Sequence, residues 1–161
     1  MTKEIKTNAM RALEKLDINY ELVDYDLDGK FSSATEIAEN VEADFPYIYK
    51  TLATISNNGD IFIFVIPGKA HIDFKKASKI VGVKKLEMLQ LKDLKSKIGY
   101  ERGATTSLAM KKDFPVIIDE AAKDLPYIGI SAGAIGYGLK INPFDIAKAN
   151  GANFGDVIQW V

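Results

Sequence analysis

Six consecutive apolar residues, Ile61-Phe62-Ile63-Phe64-Val65-Ile66, constrain this chain more than any other stretch. A strand with one face in water alternates apolar with polar residues. This one does not, which predicts burial on both faces or a place in the wall of a closed barrel. The β-rich run from Tyr47 to Ser56 precedes it, and Asn57-Asn58-Gly59-Asp60 joins the two with the residue types that turn a hairpin. A central hairpin follows. Within its first arm Lys50 stands two residues from both Ile48 and Leu52, so period-two geometry puts all three on one face. A strand lysine ordinarily lays its stem along the sheet and lifts its amine into water. Held instead at the mouth of an apolar pocket, it would be a cation positioned for an anionic or carbonyl group.

The chain has 161 residues, 47% hydrophobic and 27% charged, which predicts one globular domain over residues 1–161. No apolar run has membrane-spanning length, and Met1-Thr2-Lys3-Glu4-Ile5-Lys6 lacks the apolar core of a signal peptide. The expected location is the cytoplasm, with neither membrane nor DNA as partner. The absence of cysteine excludes disulfides, a thiol nucleophile and thiolate metal sites. One histidine, His71, provides too few nitrogens for a typical zinc site, and its place after Pro67-Gly68 reads as a solvated loop. No phosphate-loop or dinucleotide fingerprint is complete, so no metal and no cofactor is expected.

A net charge of −1 hides an asymmetry. Residues 69–112 carry 12 Lys and Arg against 4 acids, while the remainder carries 9 against 18. Clusters such as Lys75-Lys76-Lys79 and Lys84-Lys85 are either solvated helix faces or, if they converge in space, a surface for phosphates.

Elsewhere the periodicities predict a helix over 4–16, and a strand carrying Ile18, Tyr20 and Leu22 up to Tyr25. Ser33 with Glu36 has capping-box spacing for a second helix bearing Ala34, Ile37, Ala38 and Val41. A third is expected from Ile72 to Val81, stopped by Gly82, and a fourth from Leu91 to Ile98. Lys84 to Met88 fits either a short strand or a helix start. Further strands are expected at Pro115 to Asp119, Tyr127 to Ile130 and Tyr137 to Ile141. Asn142-Pro143 should open a last helix that Gly151 ends. Strands and helices interleave without a regular βαβ rhythm, which predicts an α+β fold with a mixed sheet.

The motifs Tyr49-Lys50-Thr51-Leu52, Val65-Ile66-Pro67-Gly68, Asp73-Phe74-Lys75-Lys76-Ala77, Lys84-Lys85-Leu86-Glu87-Met88, Gly99-Tyr100-x-x-Gly103, Pro115-Val116-Ile117-Ile118-Asp119 and Ser131-Ala132-Gly133 follow one another across nearly the whole chain. Their order and spacing resemble the YbaK/ProX family of aminoacyl-tRNA editing domains. The resemblance implies a mixed, partly barrel-like sheet surrounded by helices. It also implies Lys50 as the principal functional residue, and two glycine loops walling the pocket for the aminoacyl end. The family's first loop usually reads Gly-Gly-x-Ser-Pro-x-Gly, whereas this chain has Gly103-Ala104-Thr105-Thr106-Ser107-Leu108-Ala109. Ala104 and Ala109 add methyl groups there, implying a bulkier pocket wall and an altered choice of amino acid. After Ser131 the family often has a basic residue and a later acid, where this chain has Ala134-Ile135 and Gly138.

The resemblance implies hydrolysis of mischarged tRNA, with Cys-tRNA(Pro) or Ala-tRNA(Pro) as substrate, the tRNA acceptor end as partner and a prolyl-tRNA synthetase as a further one. The chain offers no obvious nucleophile-base pair, so the expected mechanism is substrate-assisted, with Lys50 as an electrostatic clamp. The expected substrate-binding set is Tyr25, Phe31, Gly103, Thr106, Ser131, Ala132 and Gly133. Tyr25 and Phe31 are the candidates for stacking on the terminal adenine. The alternative is a non-catalytic module of the same fold that binds tRNA, a nucleotide or a protein.

Overall fold

The computed structural model describes residues 5–25 and 47–160. In chain order these form α1 (Asn8–Lys15), β1 (Glu21–Asp24), β2 (Tyr49–Ser56), β3 (Ile61–Pro67), β4 (Ala70–Ile72), α2 (Phe74–Val81), β5 (Leu86–Met88), α3 (Leu91–Lys97) and β6 (Val116–Asp119). A 3₁₀ turn (Glu120–Asp124), β7 (Ile128–Ser131), β8 (Tyr137–Ile141), α4 (Pro143–Asn150), β9 (Asn153–Gly155) and β10 (Ile158–Trp160) complete them. The helix expected around Ser33 and Glu36, and Phe31, lie outside the described residues.

The hairpin forms as its turn residues dictate. Gly59 takes φ 86°, the region that favours glycine, and the Ser56 hydroxyl oxygen accepts from the amides of Asn58 and Asp60 at 3.2 and 3.1 Å. Antiparallel pairing then runs from Ile55 with Ile61 back to Tyr49 with Pro67. Around the hairpin lies a five-stranded sheet ordered β5-β2-β3-β6-β9, in which β6 pairs parallel with both neighbours. A three-stranded sheet ordered β1-β8-β7 and the pair β10-β4 accompany it, and a parallel bridge between Ile48 and Gly129 joins the two larger sheets. The architecture is the expected mixed α+β one.

Both faces of β3 are covered. Ile63 and Val65 face a core shared with Leu13, Ile118 and Leu139, while Phe64 and Ile66 face a second one shared with Ala77, Ile117 and Ile158. All four β3 side chains are fully buried, which accounts for the unbroken apolar run.

Some boundaries differ from the expected ones, through local capping or through pairing with distant strands. Helix α1 begins only at Asn8, because Thr7 caps it by accepting from the Met10 amide. Ile72 belongs to β4, paired with Ile158, and Asp73 caps α2 through the amides of Lys75 and Lys76. His71 therefore sits on an exposed strand position opposite Gln159, not in a loop. Within the segment 84–88, Leu86–Met88 forms strand β5, paired with residues 54–56 of β2.

Two-sided burial makes β3 the most sensitive strand. Phe64→Ala should cost about 3–5 kcal/mol in urea unfolding, and Ile61→Ala, half-buried at the strand's start, clearly less. Equal losses would contradict the two-core arrangement.

Candidate functional site

The antiparallel ladder determines where β2 is open. The Ser56 amide donates to the Asp60 carbonyl, so Ser56 and alternate residues back to Lys50 spend their backbone groups on β3. The intervening residues point the other way. There Ala53 accepts from the Leu89 amide, and Tyr47, just before the strand, accepts from Gly129. Strand β5 reaches only Thr54, which leaves Thr51 as an open rung whose N–H and C=O face outward.

That rung opens into a cavity of about 470 Å³. Its floor is Ile48 and the start of β2, from Tyr49 to Ala53. One wall is apolar, made by Met88, Leu89, Leu91 and Leu94; the other is Gly129 to Ser131 with Gly136 and Tyr137. Tyr25, Arg102, Gly103 and Thr105 also border it.

Lys50 is half-buried at this cavity, and burial lowers its pKa from the ordinary lysine value. No carboxylate among the described residues pairs with it to offset that cost. An ammonium held partly out of water without an acid is poised to gain from an incoming anion or polarised carbonyl. Nearby, burial raises the Tyr49 phenol, with a further push from Asp119, and burial alone raises Tyr25. Both hydroxyls stay protonated as donors.

Of the expected binding residues, the structure brings Tyr25, Lys50, Gly103 and Ser131 to one cavity. Gly138 makes room for Tyr25, since a Cβ there would stand 2.7 Å from its hydroxyl. Thr106, Ala132 and Gly133 do not line the cavity. Thr106 is fully buried with its hydroxyl unpartnered among the described residues, and Thr105 takes the pocket-side position. The Ala132 amide is spent on the Tyr137 carbonyl, and its own carbonyl accepts from the Thr7 hydroxyl at 2.6 Å. The Gly133 amide donates to Ser131 Oγ at 3.1 Å, while Gly133 packs on Tyr100. That loop offers no amide of Ala132 or Gly133 to a ligand. Its contribution is the Ser131 hydroxyl, which accepts from Gly133 and keeps its own proton to donate.

Ala104 and Ala109 are likewise absent from the lining, so their methyl groups do not narrow the cavity. Ala109 instead holds φ 53°, the left-handed backbone that the family's glycine adopts freely, and the loop is pinned where Tyr100 donates to the Leu108 carbonyl at 2.5 Å. Sequence reasoning missed the Thr51 backbone, the Met88 to Leu94 wall and Arg102. No side-chain pattern could reveal an open backbone rung.

Fold and cavity define a class: a pocket that presents a cation with no acid partner among the described residues, and open backbone groups, to a small carbonyl-bearing or anionic end. Comparison with known proteins narrows it. The family model for the aminoacyl-tRNA editing domain matches residues 29–149. A curated relative from Enterococcus faecalis, EbsC, provisionally named as a Cys-tRNA(Pro)/Cys-tRNA(Cys) deacylase, is 36% identical over 152 residues, covering 94% of this chain and 93% of its own. Among solved structures, one described as a hypothetical protein matches with TM-score 0.84 at 19% identity, covering 95% of this chain and all of the other (100%). Another, provisionally described as a trans-editing enzyme for prolyl-tRNA synthetase, matches with TM-score 0.80 at 22% identity, covering 97% and 99%. The chain belongs to the aminoacyl-tRNA editing domain family, of the YbaK type, and its class is that of the aminoacyl-tRNA deacylases. Among the described residues no helix is long and apolar enough to cross a membrane, and no group of three His, Cys, Asp or Glu could hold a metal ion.

Two outcomes follow from this geometry. Ala109→Gly should stabilise the protein by up to about 1 kcal/mol, because glycine adopts φ 53° without strain, and should leave substrate choice unchanged; chemical denaturation and a substrate panel check both. Lys50 has a folded pKa below its unfolded value of 10.5, so the unfolded chain binds more protons between those two values and stability rises with pH there. Lys50→Met should therefore melt no lower than the parent at pH 7, and its advantage should shrink as pH approaches 10.5. A variant that melts well below the parent at pH 7 would show the lysine to be structural.

Proposed function

We propose that this chain hydrolyses mischarged tRNA in trans, with Cys-tRNA(Pro) or Ala-tRNA(Pro) as its substrate. The observation that carries the proposal is Lys50, a half-buried cation without an acid partner among the described residues, at a cavity bordered by an open strand edge. The name of EbsC supports Cys-tRNA(Pro), the name of the trans-editing neighbour supports a link to prolyl-tRNA synthetase, and Ala-tRNA(Pro) rests on the family resemblance. A prolyl-tRNA synthetase is the proposed source of the charged tRNA, and the cytoplasm the proposed site of action.

Ester hydrolysis requires an attacking group, stabilisation of charge on the carbonyl oxygen, and placement of the ester. Lys50 supplies charge, holding the acceptor end through an oxygen of its phosphate or ester. The Thr51 amide faces the cavity, and the Gly103 amide is unspent among the described residues, so these are the backbone donors available to the carbonyl oxygen. Ser131 donates its remaining proton to the bound end, and the apolar wall at Met88 to Leu94 receives a small side chain. Tyr25 borders the same cavity and serves as the stacking surface for the terminal adenine. The phenols of Tyr25 and Tyr49 are held protonated, which removes them as general bases at neutral pH. The attack is left to the substrate's own thiol, to the ribose hydroxyl or to a placed water. In the water route, the new C–O bond forms as the ester bond breaks and the ribose oxygen takes up a proton.

The test is single-turnover deacylation of a panel of charged tRNAs that includes Cys-tRNA(Pro) and Ala-tRNA(Pro). The parent should release the amino acid. Lys50→Ala should lose that activity while keeping its fold, and Lys50→Arg should retain part, since a planar fork replaces a compact point donor. Retention of every charged tRNA without release would make the protein a binding module, and parental rates from Lys50→Ala would refute the clamp.

A further inference from the structure

A second concavity lies on the flank of the same sheet, and its lining is cationic. Lys75 and Lys79 project from α2, and Lys84 and Lys85 from the segment leading into β5, around a groove of about 540 Å³ with no acid among the described residues that line it. The groove is braced from below. Gly82 ends α2 at φ 76°, Val83 donates back to the Ser78 carbonyl at 3.0 Å, and in the hairpin turn the Asn57 amide donates to the Lys85 carbonyl at 3.1 Å while Asn57 Oδ1 accepts from the Lys85 amide at 3.2 Å. Lys75 and Lys79 are one helical turn apart, where like charges weaken a helix. The neighbouring Lys76 turns away to Asp156 at 3.1 Å and to the Ile158 carbonyl at 3.0 Å, so its charge is already matched.

The groove and the cavity meet along β5. Leu86 lines the groove and Met88 lines the cavity, on the same face of the strand and roughly 7 Å apart at about 3.3 Å per residue. We infer that the groove at Lys75, Lys79, Lys84 and Lys85 binds the phosphate backbone of the tRNA acceptor stem whose 3′ end occupies the cavity. This rests on the reading of the cavity as the acceptor-end site. Four lysines that form no ion pair among the described residues release counterions when they meet phosphates, and binding of this kind falls steeply with salt.

The experiment uses uncharged tRNA(Pro) transcript and the full chain, with binding read by fluorescence anisotropy between about 50 and 200 mM salt. Lys75→Gln, Lys79→Gln and Lys84→Gln together should raise Kd at least tenfold and lower the slope of log K against log salt by about 2–3. Lys76→Gln should leave both unchanged. Hydrolysis of a short substrate that lacks the stem, cysteinyl-adenosine, should proceed at the parental rate in the triple variant. Unchanged affinity and slope in the triple variant, an equal effect from Lys76→Gln, or loss of cysteinyl-adenosine hydrolysis would each overturn the assignment. If the parent deacylates no charged tRNA, the deacylase reading fails while the anisotropy still decides the groove.

Discussion

The two-sided burial of β3 is the constraint on which the rest depends. Ile63 and Val65 hold one core and Phe64 and Ile66 the other, so β3 cannot shift without opening both. Fixed against it by seven paired positions, β2 keeps its register even though β5 covers only three residues of its far edge. An open strand edge is ordinarily a liability, because its backbone groups invite pairing with another chain. Here the opening is confined to the rung at Thr51 and lies inside a cavity, where a small ligand is the natural partner.

The same rigidity makes the placement of Lys50 tolerable. Partial desolvation lowers its pKa, and no carboxylate among the described residues offsets the cost. An uncompensated cation on an apolar floor weakens the fold slightly, and such exchanges of stability for function concentrate at binding sites. The surrounding loops hold their shape through bonds spent internally. Ser131 with Gly133, Ala132 with Thr7, and Tyr100 with Leu108 hold the walls in place.

Much of this was legible in the sequence where local chemistry decides structure. The Asn57-Asn58-Gly59-Asp60 turn, the unbroken apolar run of β3, the Gly82 stop and the Asn142-Pro143 cap each specify their element within a few residues. Lys50 was visible because it breaks the apolar pattern of its face. What long-range pairing decides was not visible: β4 and β10, three residues each, exist only by pairing with one another. Loop orientation failed for the same reason. A hydroxyl at Thr106 matches the family's serine, yet the backbone turns it into the core and presents Thr105. The amides expected near Gly133 proved to be spent inside the loop, and the open Thr51 rung follows from ladder parity, which sequence does not display.

The central claim is that Lys50 is a partly desolvated cation awaiting a negatively polarised ligand. Its ionisation can be followed directly by NMR titration of the lysine ammonium, without and with a non-hydrolysable 3′-amide analogue of a cysteinylated acceptor end. The account predicts a Lys50 pKa below 10.5 in the unliganded protein and a rise when the analogue binds, because the ligand's oxygens favour the charged form. An analogue that binds tightly and leaves the Lys50 pKa unmoved, or lowers it further, would contradict it.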